Sequence, residues 1–115
     1  MSENCLFCKI ISGEVNANVL FEDNQMIAIE DINPQAPVHL LLIPKKHIST
    51  TMEIEKEDSE ILSAIFESAK ELAKDSEIDK SGFRIVLNCN EGAGQSVFHI
   101  HFHLLGGRRL TWPPG

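Results

Sequence analysis

The sequence predicts an α+β fold in which an antiparallel sheet of five strands packs against one long helix, with a second, short helix at the N-terminus. Short β-prone runs bounded by Gly, Asn, Asp and Pro indicate the strands. Between Glu57 and Lys74, apolar residues recur at steps of three and four, which is the period of an amphipathic helix. A sheet with a helix on one side is the usual way to bury both apolar surfaces.

Each element has a local signal in the sequence. An apolar run that stops at Ser12-Gly13 predicts the short helix. Asp23-Asn24-Gln25 suits a tight turn between two strands, whereas Pro34 and Pro37 keep the next segment irregular. The predicted elements are a helix over Leu6–Ile11, strands over Val19–Glu22, Met26–Ile29 and Val38–Ile43, the long helix over Glu57–Lys74, and strands over Phe83–Cys89 and Val97–Leu105.

Composition and charge fit a globular chain that forms a single domain over residues 1–115. Hydrophobic residues make up 43% and charged residues 23%, which is an ordinary balance. The formal net charge of −7 disfavours a nucleic acid as partner, because a polyanion would be repelled. No apolar run approaches the roughly 20 residues that span a bilayer, and MSENCLFCKI lacks the features of a signal peptide. We therefore expect no membrane partner and a cytoplasmic location.

Three histidines, His99, His101 and His103, alternate with apolar residues near the C-terminus. On a strand, alternate side chains share a face, so the three imidazoles are predicted to point the same way. Packing alone would not favour histidine at these positions, because a buried imidazole, unlike an apolar side chain, must find hydrogen-bond partners. Either a metal centre or phosphate chemistry fits such a row.

The loop before this row favours phosphate chemistry. In Gly92-Ala93-Gly94-Gln95-Ser96, a glycine-bearing turn lets backbone N–H groups close on an anion, and Ser96 adds a hydroxyl. A simple connection between strands would have the same composition. Beside the histidines, however, the loop suggests a site where an imidazole attacks phosphorus and neighbouring groups donate protons.

Cys5 and Cys8 are separated by two residues, a spacing that suits two thiolates on one tetrahedral metal ion. Two further ligands would have to come from elsewhere in the chain. Two buried thiols without a metal are the alternative, and Cys89 is interpreted as a small apolar residue of a strand.

The histidine row and several other segments resemble the histidine triad family, in particular its Hint branch. His99-Ile-His101-Phe-His103-Leu-Leu matches the pattern His-φ-His-φ-His-φ-φ, where φ is apolar. The resemblance covers nearly the whole chain. The other matching segments are Asp31-Ile-Asn-Pro-Gln-Ala-Pro, His39, Ile43-Pro-Lys-Lys-His47, Gly94-Gln95-Ser96-Val97 and Trp112-Pro-Pro-Gly115.

This resemblance implies a homodimeric purine nucleoside phosphoramidase, which hydrolyses the P–N bond of adenosine or guanosine 5′-phosphoramidates without a catalytic cofactor. By resemblance, His101 is the nucleophile that becomes transiently nucleotidylated. His103 and His39 flank it and bind phosphoryl oxygens. Ser96 assists departure of the amine, and Asn88 forms a hydrogen bond near the 5′ oxygen.

The resemblance also implies which residues bind the nucleotide. Asp31 accepts both ribose hydroxyls, although a turn-forming Asp would look the same in the sequence. Trp112 belongs to a tail that reaches the partner subunit's site in Hint proteins; a Trp packed on its own subunit is the alternative. The base slot is formed by Phe7, Ile10, Ile29 and Ile32. The phosphate loop is formed by Gly94, Gln95, Ser96 and Val97.

Some histidine triad proteins with this cysteine pair bind a structural zinc ion, and the resemblance extends that site to this chain. The matching ligands are Cys5, Cys8, His47 and His99. A shell of two cysteines and two histidines is closed, with no open position for substrate. His99 would therefore be structural, and the implied content is about one zinc ion per subunit.

Three other functions remain open at this point. Related branches cleave dinucleoside polyphosphates or transfer nucleotides with the same nucleophile, but Ser96 and the terminal WPPG argue against that activity. A nucleotide-sensing binding or scaffold protein is a second alternative, and a metal-dependent hydrolase is a third.

Overall fold

The computed structural model describes residues 4–115. Its elements confirm the predicted α+β fold, with a five-stranded antiparallel sheet, one short helix and one long helix. No helix in this part of the chain is long and apolar enough to cross a membrane. The elements are α1 (Leu6–Ile11), β1 (Val19–Glu22), β2 (Met26–Glu30), β3 (Val38–Pro44), α2 (Ser59–Asp75), β4 (Phe83–Val86) and β5 (Phe102–Gly106).

The strands lie in the order β1-β2-β3-β5-β4, so β5 is inserted between β3 and β4. Every neighbouring pair is antiparallel. In this register His103 lies opposite Leu41 on one side and opposite Val86 on the other. The histidine segment therefore leads into an interior strand of the sheet, β5, which lies next to the edge strand β4.

Two apolar clusters cover the two faces of the sheet. One face packs against α2, where Leu40, Leu42, Phe102 and Leu104 meet Ile65. On the opposite face Phe7 of α1 packs against residues that alternate with these, namely Ile27, Ile29, Leu41 and Ile43. Both faces of β3 are therefore buried.

The long helix begins later than its apolar pattern. Lys56–Asp58 form a single 3-10 turn, and α2 starts at Ser59 rather than at Glu57. Asp58 holds this start, because its buried carboxylate accepts the Glu55 N–H at 2.9 Å and lies 2.6 Å from the Lys46 ammonium. This ammonium lowers the pKa of Asp58, so the carboxylate stays ionised.

The predicted strand over Val97–Leu105 is wrong in its first half, because β5 begins only at Phe102. Residues 97–99 bend, and the segment is held by the loop after β3: Ile100 N–H donates to the Ile48 carbonyl at 2.8 Å. The predicted strand over Phe83–Cys89 is too long for the same reason. Within residues 4–115 the edge strand β4 pairs only with β5, and it ends at Val86 opposite His103.

Candidate active site and metal cluster

The three histidines keep the predicted alternation although only His103 lies on a strand. Ile100 and Phe102 point into the α2 core, so the intervening imidazoles lie on the opposite face, against α1. There the Phe7 ring meets the His101 ring edge-on, with 4.8 Å between ring centroids. The histidines then divide between two clusters, one around His99 and the other around His101 and His103.

A backbone carbonyl fixes the tautomer of His101. Its Nδ1 lies 2.9 Å from the carbonyl oxygen of His99, and a carbonyl only accepts hydrogen bonds, so Nδ1 carries the proton. Burial lowers the pKa of His101, which keeps the ring neutral near pH 7. A neutral ring protonated at Nδ1 has its free lone pair on Nε2. This is the state that a nucleophilic imidazole needs.

A backbone amide fixes the tautomers of His39 and His103 in the same way. Gln35 N–H donates to His39 Nδ1 at 3.0 Å, so neutral His39 carries its proton on Nε2. That proton points at His103 Nδ1, 2.9 Å away, and His103 is left with an N–H at Nε2. The series of hydrogen bonds that runs from the Gln35 amide through His39 to His103 therefore ends in a hydrogen-bond donor.

Protonation of His39 and His103 to the charged imidazolium form is disfavoured. Burial, with the nearby His101 and His39, lowers the pKa of His103 to about 4. Burial also lowers the pKa of His39, although Asp31 opposes the effect, since its Oδ2 lies 3.4 Å from His39 Nε2. Both rings are therefore neutral near pH 7 and act through their fixed N–H groups.

A cavity of about 420 Å³ opens beside His101 and His103, within the size range of small-molecule sites. Its walls are largely apolar, and Asp31 contributes a carboxylate. Ile32 is fully exposed, so this part of the slot is open. The predicted site residues that line the cavity are Phe7, Ile10, Ile29, Asp31, Ile32, Ser96, Val97, His101 and His103.

The other predicted nucleotide contacts lie outside this lining. Gln95 is buried and its side chain is committed to the backbone: Oε1 accepts Asn90 N–H, and Nε2 donates to the Ser49 and Val97 carbonyls. Gln95 thus shapes the loop that presents Ser96. Gly94, at φ +95, adopts a left-handed conformation that favours glycine and lies close to the Asn88 side chain.

Trp112 is also away from the cavity of its own chain. Its side chain is 81% exposed, which argues against tight packing on its own subunit. The tail is attached before this residue, where Arg84 Nη2 donates to the Thr111 carbonyl at 3.0 Å.

Cys5, Cys8, His47 and His99 bring four ligand atoms within 4.8 Å of one another, a group that could hold a metal ion. Cys5 Sγ lies 3.3 Å from His99 Nδ1, and Cys8 Sγ lies 3.3 Å from His47 Nδ1. The two histidine Nδ1 atoms are only 3.1 Å apart, which requires a proton or a cation between them. Zinc bonds of about 2.0 to 2.3 Å would space tetrahedral ligands roughly 3.3 to 3.8 Å apart, so the donor set fits.

The protonation state of His99 suits metal binding. Its Nε2 donates to the Pro44 carbonyl at 2.7 Å, which leaves the Nδ1 lone pair directed at the cluster. Burial raises the pKa of the Cys8 thiol to about 11, and Cys5 adds to this effect through its hydrogen bond and charge. In the absence of a cation, therefore, the Cys8 thiol keeps its proton near neutral pH.

Asp31, His39 and His103 form a second group of potential ligands. The Gln35 amide argues against a metal there, because His39 would have to free Nε2 by moving its proton to Nδ1, where Gln35 N–H already points. The two clusters thus differ in chemistry: one offers lone pairs to a cation, and the other passes hydrogen bonds toward the cavity.

The sequence analysis missed three backbone groups of this site, namely the Gln35 amide and the carbonyls of Pro44 and His99. These are backbone atoms, so no residue type marks them. The only available signal was the proline-rich loop of residues 34–37, which turns the Gln35 amide back toward His39. It also missed part of the cavity lining, namely Leu6, Val15, Asn16, Ala17, Asn18, Glu30 and Leu41.

Comparison with known proteins places the chain among relatives of the same architecture. Residues 4–109 match the family model described as "Scavenger mRNA decapping enzyme C-term binding". An uncharacterized HIT-like protein from Synechocystis sp. is 46% identical over the full length of both chains.

Solved structures give the same result. A HIT family hydrolase from Legionella pneumophila is 56% identical, with a TM-score of 0.96 over 97% of this chain and 100% of that one. A HIT family hydrolase from Clostridium thermocellum is 49% identical, with a TM-score of 0.92 over 95% of each chain. A histidine triad nucleotide-binding protein from Candida albicans is 34% identical, with a TM-score of 0.82 over 96% of this chain and 83% of that one. With this identity over almost its whole length, the chain belongs to the histidine triad (HIT) family.

Proposed function

We propose that this protein is a hydrolase of the nucleoside phosphoramidase type, which cleaves the P–N bond of purine nucleoside 5′-phosphoramidates. The observation that carries the proposal is the state of His101, a neutral imidazole protonated at Nδ1 and placed on the wall of a nucleotide-sized cavity. The HIT family hydrolases that resemble this chain support a hydrolytic reaction. The preference for purines rests on the resemblance to Hint proteins.

In the first step the His101 Nε2 lone pair attacks the α-phosphorus. A P–N bond to His101 forms, the P–N bond to the amine breaks, and the amine takes a proton as it leaves. The fixed Nε2–H of His103 donates to a phosphoryl oxygen, where negative charge grows in the transition state. Ser96 lines the same cavity and is exposed, so its hydroxyl can pass a proton from solvent to the amine.

In the second step water attacks the nucleotidyl-histidine and releases a proton to solvent, which balances the proton taken up by the amine in the first step. The bond between phosphorus and His101 Nε2 breaks, the nucleoside monophosphate leaves, and the lone pair returns to Nε2. Throughout the cycle the His99 carbonyl accepts a hydrogen bond from His101 Nδ1–H and stabilises the positive charge on the ring while it is nucleotidylated. Splitting one displacement into two lowers each barrier.

The remaining cavity residues are proposed to hold the nucleoside. Asp31 would accept hydrogen bonds from the ribose hydroxyls, and its second oxygen is held by Asn33 N–H at 2.8 Å. The base would lie between Phe7, Ile10, Ile29 and Ile32, whose apolar surfaces bind a base by stacking and contact. Asn88 and the loop at Gly94 to Val97 would contact the phosphate.

We also propose that the cluster of Cys5, Cys8, His47 and His99 holds one structural zinc ion. All four ligands come from the protein, so the ion would have no open position for substrate and no catalytic part. It would tie α1, which carries Phe7, to the loop that carries His47. Cys5, Cys8 and Cys89 are not in disulfides, which fits a reducing compartment such as the cytoplasm, in which we expect the protein to act.

A homodimer is the proposed assembly, with Trp112 of each chain near the partner's cavity. The exposure of Trp112 leaves it free for such a contact. A mass of one chain, 12.8 kDa, in light scattering would contradict this assembly.

The test uses adenosine 5′-phosphoramidate with a fluorogenic amine, and diadenosine polyphosphate as the competing substrate. We expect the phosphoramidate to be the better substrate by kcat/KM, and His101→Ala to lose at least about 10⁴-fold in kcat. Rapid quenching followed by mass spectrometry should find one nucleotidyl group on His101 of the wild type. Retained turnover in His101→Ala, with circular dichroism unchanged, would exclude the covalent mechanism.

A further inference from the structure

An apolar groove lies between β1 and α2, on the face of the sheet opposite the proposed nucleoside site. Phe21 is paired with Ala28 of β2, and Ala28 belongs to the core that packs against α2. Residues directly opposite on neighbouring strands share a face, so the Phe21 side chain points toward α2. The groove has a volume of about 330 Å³, at the lower end of the range of ligand sites. Its apolar lining consists of Leu20, Phe21, Ala64 and Leu72.

The strand that forms one wall of this groove is an edge of the sheet. Within residues 4–115, β1 pairs only with β2, so the outer backbone groups of β1 have no partner strand. Val19, Leu20 and Phe21 are consecutive apolar residues, and each is more than a third exposed. Soluble proteins often protect a free edge with lysine or proline, and β1 contains neither. Its apolar side chains are therefore accessible to another chain.

A bulge in β1 determines how another chain can bind. The register of β1 shifts between Val19 and Phe21, and Leu20 and Phe21 both line the groove instead of alternating between the two faces. A bulged edge interrupts the regular ladder that a long added strand would need. Side chains that enter the groove, rather than a long row of backbone hydrogen bonds, would therefore supply most of the contact.

The rim of the groove is negatively charged. Its carboxylates are those of Asp23, Glu67, Glu71 and Asp75. Glu67 and Glu71 each pair with the lysine three residues further along α2, at 3.2 and 3.7 Å, but exposed pairs of this kind are weak. Asp75 is the last residue of α2, where the helix dipole adds to the negative potential. The rim is therefore complementary to cations.

We propose that this groove is a docking surface for a protein segment in which an apolar residue is flanked by lysine or arginine. The apolar side chain would enter between Leu20 and Leu72, and the flanking cations would lie beside the carboxylates of the rim. A second copy of this chain is disfavoured as the occupant, because it would bring a net charge of −7 against the same carboxylates. Docking is independent of the proposed function, since no residue of the groove lines the nucleoside cavity.

The test selects random linear peptides on the intact protein by phage display, with Leu20→Ser/Glu71→Lys as the counter-selection. Peptides that only the wild type retains should carry an apolar residue flanked by lysine or arginine. One such peptide is labelled with fluorescein, and its Kd is measured by fluorescence anisotropy. The Kd should rise with salt concentration, because salt screens contacts between exposed charges. If no peptide is enriched, or if the enriched peptides carry no cation, the inference is overturned.

Matched variants ask whether the peptide binds in the groove. Leu20→Ser removes an apolar contact and Glu71→Lys reverses a charge of the rim, and each should raise the Kd of the peptide at least about fivefold. Met52→Ser and Glu14→Lys make the corresponding changes at exposed positions outside the groove and should keep the wild-type Kd. An unchanged Kd in Leu20→Ser and Glu71→Lys, both folded by circular dichroism, would contradict the docking surface.

The position of the peptide can also be determined on the wild type, without any substitution. When the peptide is added, the NMR amide signals of β1 and of residues 64–75 should shift. Shifts that leave these residues unaffected would place the peptide elsewhere and overturn the inference. Light scattering tests the other occupant: an assembly whose mass Leu20→Ser reduces would show that the groove holds a second copy of this chain, and the basic segment would have to be abandoned.

Discussion

At the residue scale, the candidate site is organised by hydrogen bonds between imidazoles and the backbone. The His99 carbonyl sets which nitrogen of His101 is free, and the Gln35 amide sets which nitrogens of His39 and His103 carry protons. Burial keeps these rings neutral. Identical imidazoles thereby acquire opposite roles: His101 presents a lone pair, and His103 presents a proton.

Gln35 provides a test of this series of hydrogen bonds, which fixes the tautomers of His39 and His103. Gln35→Pro deletes the N–H that donates to His39 Nδ1, whereas Gln35→Ala keeps it. Without that donor His39 can adopt either tautomer, and the N–H of His103 is no longer fixed. We expect Gln35→Pro to lower kcat about tenfold or more relative to Gln35→Ala, with a smaller change in KM. Equal kcat in the two variants, both folded by circular dichroism, would show that the amide has no such role.

Side-chain identities in this site could be predicted from the sequence, but their protonation states could not. His101 and His103 were marked by residue type and spacing and Asp31 by the family resemblance, and the structure places all three around one cavity. Gln95 illustrates the limit, because its amide is buried in the loop and bonded to the backbone. Which atoms a side chain meets depends on contacts between segments far apart in sequence.

At the element scale, the sequence located both α-helices and all five strands of residues 4–115, and the errors lie at their ends. The end of a strand depends on its partner: β4 stops where β5 begins, and β5 begins late because Ile100 is bonded to the loop after β3. Alternation of apolar residues therefore predicted which way His99 and His101 point, but not that they precede the ladder. Only pairing across the sheet defines that boundary.

The proposed zinc site is tested at this scale, because it joins α1 to the rest of the fold. Removing zinc with a chelator, or the variant Cys5→Ser/Cys8→Ser, should lower the Tm by at least about 5 °C, since folding and metal binding are coupled. The Kd for adenosine monophosphate should rise, because α1 carries Phe7 and Ile10 of the cavity. Differential scanning calorimetry and titration calorimetry measure the two effects.

Cys89→Ser is the matched control, since it removes a thiol outside the cluster. It should keep the Tm response to chelator and the zinc content of about one ion per chain. Purified protein without stoichiometric zinc, or a Tm that chelation leaves unchanged, would argue against the site.

At the scale of the whole molecule, one face of the sheet forms the main apolar core and the other carries the candidate functional groups. One face is buried against α2, and the other carries α1, the metal cluster and the histidines. The insertion of β5 between β3 and β4 places His103 on an interior strand of this second face. A histidine row alone could not predict that order, because β5 pairs with a strand more than fifty residues away.

Burying several neutral imidazoles on one face makes the stability of the whole fold depend on pH. The pKa values of His39, His101 and His103 are lowered by burial, that of His103 to about 4, whereas an unfolded histidine has a pKa near 6.5. Between these values the unfolded chain binds protons that the folded chain does not. The contribution of these histidines to the free energy of unfolding should therefore be constant above about pH 7 and should fall as the pH drops from 6.5 toward 4.

Urea unfolding of Cys5→Ser/Cys8→Ser at pH 7 and pH 5 measures this dependence without a contribution from metal loss. The midpoint should be lower at pH 5, and adding His103→Asn should reduce the difference, because one group that resists protonation is gone. Lys70→Met, which changes the net charge by one without touching a histidine, should leave the difference unchanged. A midpoint that is the same at both pH values would mean that the folded protein takes up protons as readily as the unfolded chain, and the neutral histidine arrangement on which His101 depends would have to be abandoned.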